Sequence, residues 1–171
     1  MAKAFGAKVI AGVSSMTKAA AVREAGADEV VDLSVGDLRE GLRSQVHAVT
    51  GGKGADVVID SLGDRFFSAA LRAMAWCGRL VVVGFAAGEI PSVKVNYLLV
   101  KNIEVSGLQV SDYRKKMPQR MRECFEEIFA LYEKGLVKPP VTSVRRLEGF
   151  AEALGQIRAR TAKGRIVLDL D

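Results

Sequence analysis

Several things are scarce in these 171 residues, and each scarcity closes off a class of function. Cysteine occurs twice, as Cys77 and Cys124, far apart and without a CxxC spacing, so neither a disulfide framework nor a thiolate metal cluster is expected. Histidine occurs once, as His47, which leaves almost no ligand set for zinc; no metal residue is assigned. Aromatic residues are only 6%, and 25 Lys and Arg stand against 20 Asp and Glu, too even a balance for a nucleic-acid surface. The small surplus is late in the chain: residues 1–110 carry 12 basic and 11 acidic side chains, residues 111–171 carry 13 and 9. Long apolar runs are missing too. The longest, Leu80–Val83 continuing to Ala87, falls far short of the roughly 20 residues of a membrane helix, and no signal-peptide pattern opens the chain. A soluble, cytoplasmic protein without a membrane partner is the expectation.

What is present is a regular alternation. Short β-branched runs at Lys8–Val13, Glu29–Leu33, Ala55–Asp60, Arg79–Gly84 and Ile103–Leu108 read as strands, with Ile166–Leu170 a sixth. Most are continuously apolar, as in a parallel sheet covered on both faces. Between them Thr17–Ala25, Asp37–Val49, Asp64–Trp76 and Pro91–Val100 space apolar residues by three and four, as crossover helices do. Two further amphipathic helices, Pro118–Lys134 and Leu147–Arg160, flank the stiff Lys138-Pro139-Pro140 segment and are read as the closing part of the same domain. Gly26, Gly135 and Gly164 stand where helix C-terminal caps are expected. The fold class is α/β: a Rossmann-like, doubly wound parallel sheet.

In such a sheet ligands bind at the carboxyl ends of the strands, so the residues just after each strand are the candidates. Ser14, Ser15 and Lys18 follow the first strand, two hydroxyls and an ammonium with no carboxylate. That set favours a ribose 2′-phosphate, and it equally fits a Ser/Thr helix cap beside a solvated lysine. Asp60-Ser61-Leu62-Gly63 and Gly84-Phe85-Ala86-Ala87-Gly88 end the third and fourth strands; both fit ligand-facing turns and ordinary βα turns. Thr50-Gly51-Gly52-Lys53-Gly54 enters a strand instead of leaving one and lacks the spacing of a phosphate loop. His47 has no acid–base partner near it in sequence, Trp76 and Cys77 read as packing residues, and the acidic neighbours of Cys124 disfavour a reactive thiolate. No strand with a Gly-rich pyrophosphate turn comes before Lys8, where the chain reads Met1-Ala2-Lys3-Ala4-Phe5-Gly6.

As an ordered set, AKAFGAKVIAGVSSMTK, REAGADEVVDL, GGKGADVVIDSLGDRFFSAALRAMAWCGRLVVVGFAAGEIPSVKVNYLLVKNIEVSGL and EALGQIRARTAKGRIVLDL resemble zinc-independent medium-chain dehydrogenases/reductases, the NADPH:quinone oxidoreductase branch. The resemblance runs over essentially the whole chain. It implies an NADPH-binding domain with Ser14 and Lys18 near the adenosine phosphate and Ser61 near the adenosine. It further implies Gly84 and Phe85 near the nicotinamide ribose, Leu108 near the nicotinamide, and Arg160 facing the cofactor. Two departures stand out: Asp64 replaces a second glycine after DSLG, and Leu33 stands near the place where some members have a phosphate-pocket tyrosine. The family's GroES-like N-terminal domain and its first Rossmann strand with an AxGGVG-like turn have no counterpart here, so no catalytic residue is assigned.

In the strand order 3-2-1-4-5-6, strand 1 is central, between Lys8–Val13 and Ala55–Asp60. Without it those two strands are expected to pair directly, to take a strand from another chain, or to leave the protein poorly folded. The resulting expectation is an incomplete part, a fragment or truncated gene product. It would be inactive alone and would hold NADPH weakly or not at all. A homodimer through the Ile103–Leu108 edge is expected by resemblance. The alternatives are a non-catalytic dimerisation module and, less directly, a nucleotide-binding regulator.

Overall fold

The computed structural model describes residues 1–140, 142–159, 161–162 and 164–170. They form two compact units, Met1–Phe129 and Ala130–Asp171, with the boundary inside one helix. In the first unit β1 (Ile10–Val13), β2 (Glu29–Asp32), β3 (Ala55–Asp60), β4 (Met74–Val82) and β5 (Glu104–Gly107) alternate with α1 (Ala19–Glu24), α2 (Leu38–Val49), α3 (Asp64–Ala73) and α4 (Asn96–Lys101). Then come α5 (Val110–Lys116) and α6 (Pro118–Glu133), which crosses the boundary. The second unit holds β6 (Thr142–Arg146), α7 (Phe150–Arg158) and β7 (Arg165–Asp169).

Every strand pairing is parallel, and the order within each ladder is that of a Rossmann-like α/β fold. The ladders are separate: β1–β2, β3–β4–β5 and, in the second unit, β6–β7. Direct pairing of the first and third strands, one of the expectations above, does not occur. Each keeps its far edge unpaired. What joins the two ladders of the first unit is a helix layer, because α2 packs on α3 and together they cover β2, β3 and β4.

That layer follows from the sequence. Asp37 caps α2, its Oδ1 accepting from the amides of Arg39 at 3.1 Å and Glu40 at 3.2 Å. Leu38, Leu42 and Val46 then repeat every four residues and are buried. α3 contributes Phe67, Ala69, Ala70, Leu71 and Ala73; its alanines let the backbones approach closely. Beneath them lie Met74 and Leu80 of β4, both fully buried, each stabilising by about 2 kcal/mol through apolar burial. Gln45 of α2 grips the outer edge of β2 by accepting from Asp32 N at 2.7 Å and donating to Asp32 O at 3.0 Å. That is one way of closing a strand edge.

The opposite face corrects the expectation of a sheet covered on both sides: Val57 and Ile59 of β3 are 61% and 63% exposed. Trp76 and Cys77, expected to pack, are also exposed. α3 ends at Ala73, not Trp76; β4 begins directly at Met74, with a register break between Ala55 and Val57 and a positive φ of 58° at Cys77. The helix expected from Pro91 begins only at Asn96, and β6 was not anticipated. Gly26 and Gly135 follow α1 and α6 with positive φ, whereas Gly164, expected as a cap, lies six residues beyond the end of α7.

Candidate functional site

The candidates fall into two groups. At the carboxyl end of β1, Ser14 is exposed and Ser15 and Lys18 are half-buried. Ser15 is extended, at φ −158°, and its Oγ accepts from Thr17 N at 3.4 Å and lies 2.8 Å from Thr17 Oγ1. The helix cap weighed from the sequence is therefore real for Ser15. It leaves Ser14 and the Lys18 ammonium free of any ion pair or hydrogen bond among the described residues. The register sets Asp32 beside Val13, so a carboxylate does stand one strand away, which reading β1 alone missed. It is engaged: Oδ1 accepts from Ser34 N at 2.7 Å and Ser34 Oγ at 2.6 Å, bonds that hold its pKa below the usual carboxylate value.

The second group is one hydrogen-bonded body. Ala86 N donates to Ser61 O at 2.9 Å, Ala87 N to Leu62 O at 3.0 Å, and Asp64 N to Glu89 O at 3.0 Å. Leu108 N donates to Val82 O at 2.9 Å, which brings Leu108 to the same end. Ser61, Gly84, Phe85 and Leu108 are thus gathered at the carboxyl edge of the β3–β4–β5 ladder. Beneath them Asp60, fully buried, accepts through Oδ1 from Leu62 N at 2.8 Å and Gly63 N at 2.9 Å, while its Oδ2 has no hydrogen-bond partner. Sequence reading placed Asp60 in the turn without giving it a role; an Asp three residues before the turn glycine is the signal of such an Asx arrangement.

Glycine is needed at Gly63, where a Cβ would lie 2.9 Å from Phe85 Cδ1 and 3.0 Å from Glu89 O. A Cβ at Gly84, by contrast, would meet only Ser61 O at 3.5 Å, so its backbone is open to close approach. Asp64, the departure from the family's glycine, nonetheless keeps a left-handed φ of 48°. Arg160 lies outside the described residues. The first group sits on the β1–β2 ladder and the second on the β3–β4–β5 ladder, with no ladder bond between them.

No three His, Cys, Asp or Glu side chains converge among the described residues, and Cys77 and Cys124 are both exposed, so this donor set does not fit zinc. No described helix is long and apolar enough to cross a membrane.

Residues 1–127 match the family model described as zinc-binding dehydrogenase. The chain is 36% identical over 169 residues to a quinone oxidoreductase-like protein 2 homolog of Nematostella vectensis, covering 98% of this chain and 45% of that protein. It is 32% identical to a quinone oxidoreductase of Pseudomonas aeruginosa, covering 98% of this chain and 50% of the relative. The crystal structure of Escherichia coli quinone oxidoreductase complexed with NADPH superposes with a TM-score of 0.81 at 28% identity, over 99% of this chain and 51% of that one. The chain spans about half the length of the curated relatives it matches.

Proposed function

Since this chain belongs to the zinc-binding dehydrogenase family, as the C-terminal cofactor-binding part of a medium-chain dehydrogenase/reductase, we propose that it holds NADPH for a quinone oxidoreductase-like enzyme. The observation that carries this reading is the end of β1: an unpaired Lys18 ammonium beside Ser14, with the nearest strand-end carboxylate, Asp32, already occupied by Ser34. A 2′-phosphate finds a cation and hydroxyls there and little repulsion. The NADPH complex of the E. coli enzyme supports the choice of cofactor.

NADPH, when bound, supplies the hydride that reduces a quinone or another enone or carbonyl acceptor. The residues of this chain bind and orient. Ser14, Ser15 and Lys18 receive the adenosine phosphate and Ser61 the adenosine; Arg160 is assigned to the cofactor by resemblance alone. Gly84 offers open backbone to the nicotinamide ribose, Phe85 walls it, and Leu108 presents an apolar contact that keeps water from the ring. This chain by itself is expected to show no steady-state quinone reduction.

Amide chemical-shift titration of the chain tests this. NADPH at millimolar concentration is expected to perturb Lys18, Gly84 and Leu108 saturably, and NADH only the latter two; Lys18→Ala erases the difference. Silence at all three sites overturns the assignment.

A second reading has its own support. β5 is the last strand of its ladder and its outer edge is unpaired, the place where a second copy would extend the sheet about a two-fold axis. Sedimentation equilibrium at tens of micromolar should then show a dimer; a monomer throughout refutes that edge as the contact.

A further inference from the structure

The edge of the β3–β4–β5 ladder opposite the cofactor turns is concave and basic. An open cleft of about 470 Å³ is walled by Arg43 and His47 of α2, Arg72 of α3, Trp76 of β4, and Tyr97 and Lys101 of α4; Lys53, in the turn before β3, lines it too. Two carboxylates answer these cations: Glu40 pairs with Arg72, and Asp56 with Lys53 at 2.9 Å. Arg43 has no partner among the described residues. Lys101 Nζ caps the end of α3, donating to the carbonyls of Arg72 at 2.8 Å and Met74 at 3.0 Å, and meets no carboxylate.

Positive charge is therefore in excess, and the ionisable groups register it. Burial, then Arg43 and Arg72, hold Lys101 below the ordinary lysine value; burial, then Arg43 and Lys101, do the same to His47. Arg72, then Arg39, whose Nη2 donates to the Tyr97 hydroxyl at 2.8 Å, hold that phenol below its ordinary value. Independently of charge, two buried nitrogens in this wall, His47 Nε2 and Arg72 Nε, have no hydrogen-bond partner. Buried polar atoms are seldom left so without a missing acceptor.

We propose that this cleft binds a small phosphate-bearing polyanion. Its oxygens accept from Arg72 Nε, from the Arg43 guanidinium and from His47 with the proton on Nε2, and its charge offsets the surplus. Guanidinium groups from two helices favour a ligand with several acceptor oxygens over a single carboxylate. Side chains are the main donors, for most amides of the glycine turn beside the cleft are engaged: Gly52 N donates to His47 O at 2.8 Å and Gly54 N to Thr50 Oγ1 at 2.9 Å. None of Ser14, Lys18, Ser61, Gly84, Phe85 or Leu108 lines this cleft, so the site stands apart from the cofactor reading.

Trp76 is the only tryptophan and reports directly on the cleft. Titrating the full chain with inorganic pyrophosphate, ionic strength held constant with sodium chloride, should change its fluorescence saturably. The exposed Arg43→Gln should raise the midpoint at least tenfold with an unchanged far-ultraviolet dichroism spectrum, and Arg72→Gln should act in the same direction. Lys18→Ala should leave the midpoint in place, and succinate should not saturate. A response that follows ionic strength alone overturns the proposal. So does an unshifted midpoint in Arg43→Gln, equal saturation by succinate, or loss of the signal in Lys18→Ala, which would move the pyrophosphate to the cofactor end.

Discussion

At Gly63 the backbone holds φ 70° and ψ −142°, a combination essentially closed to residues with a Cβ, and the Phe85 ring fills the space a side chain would need. Gly63→Ala should therefore cost about 2–3 kcal/mol, read as a lowered urea midpoint, and should also weaken NADPH binding because the Ser61 and Phe85 turns are hydrogen-bonded to each other. Next door, Asp64 bears a left-handed φ of 48° in a polar residue that tolerates it at some strain. Asp64→Gly should raise stability by about 0.5–1 kcal/mol, and a lower urea midpoint would contradict this account. The turn was legible in DSLG, and the strain at Asp64 was legible as a departure from the family's glycine. The roles of Asp32 and Asp60 were not, since one depends on the β1–β2 register and the other on which carboxylate oxygen is buried.

Elements with a strong apolar period or run were readable, α6 and β7 among them although they bury no described residue, and those without one were not. Leu38, Leu42 and Val46 announce α2, and Leu80 anchors β4 under α3, so Leu80→Ala should cost about 3 kcal/mol in the first unit, measured by chemical denaturation. α5 buries no residue and gives no periodic signal. β6, Thr142–Arg146, alternates exposed with half-buried positions and carries two arginines, so a search for continuously apolar strands passes over it. Trp76 and Cys77 misled for the opposite reason: an apolar run after α3 reads as more helix, while the chain there is already in β4 and breaks register before Arg79.

For the whole molecule, acidification should act in two stages. His47 is held below its ordinary value of 6.5 by burial, then by Arg43 and Lys101. The unfolded chain takes up that proton first, so stability falls as pH drops below 6.5 towards the folded value. Lys3 and the Val9 amide lower Asp28, Ser34 lowers Asp32, and Arg79 lowers Glu104. Their contribution is present above the ordinary values of 3.8 and 4.5 and is lost as pH falls through the lowered ones. Calorimetric Tm against pH should show both steps, and His47→Gln should remove only the first. The fold class was legible at this scale, because alternation of period survives the loss of any one strand. The division into separate ladders was anticipated only as an obstacle to be closed, since hydrophobic pattern says where strands are and not whether neighbours find each other. β1 and β3 are each bonded on one side only, with α2 packed on β2, α3 on β3 and β4, and the two helices on each other. Amides on the unbonded edges of β1 and β3 would therefore exchange with deuterium ahead of those laddered on both sides in β4, the strand that β3 and β5 enclose.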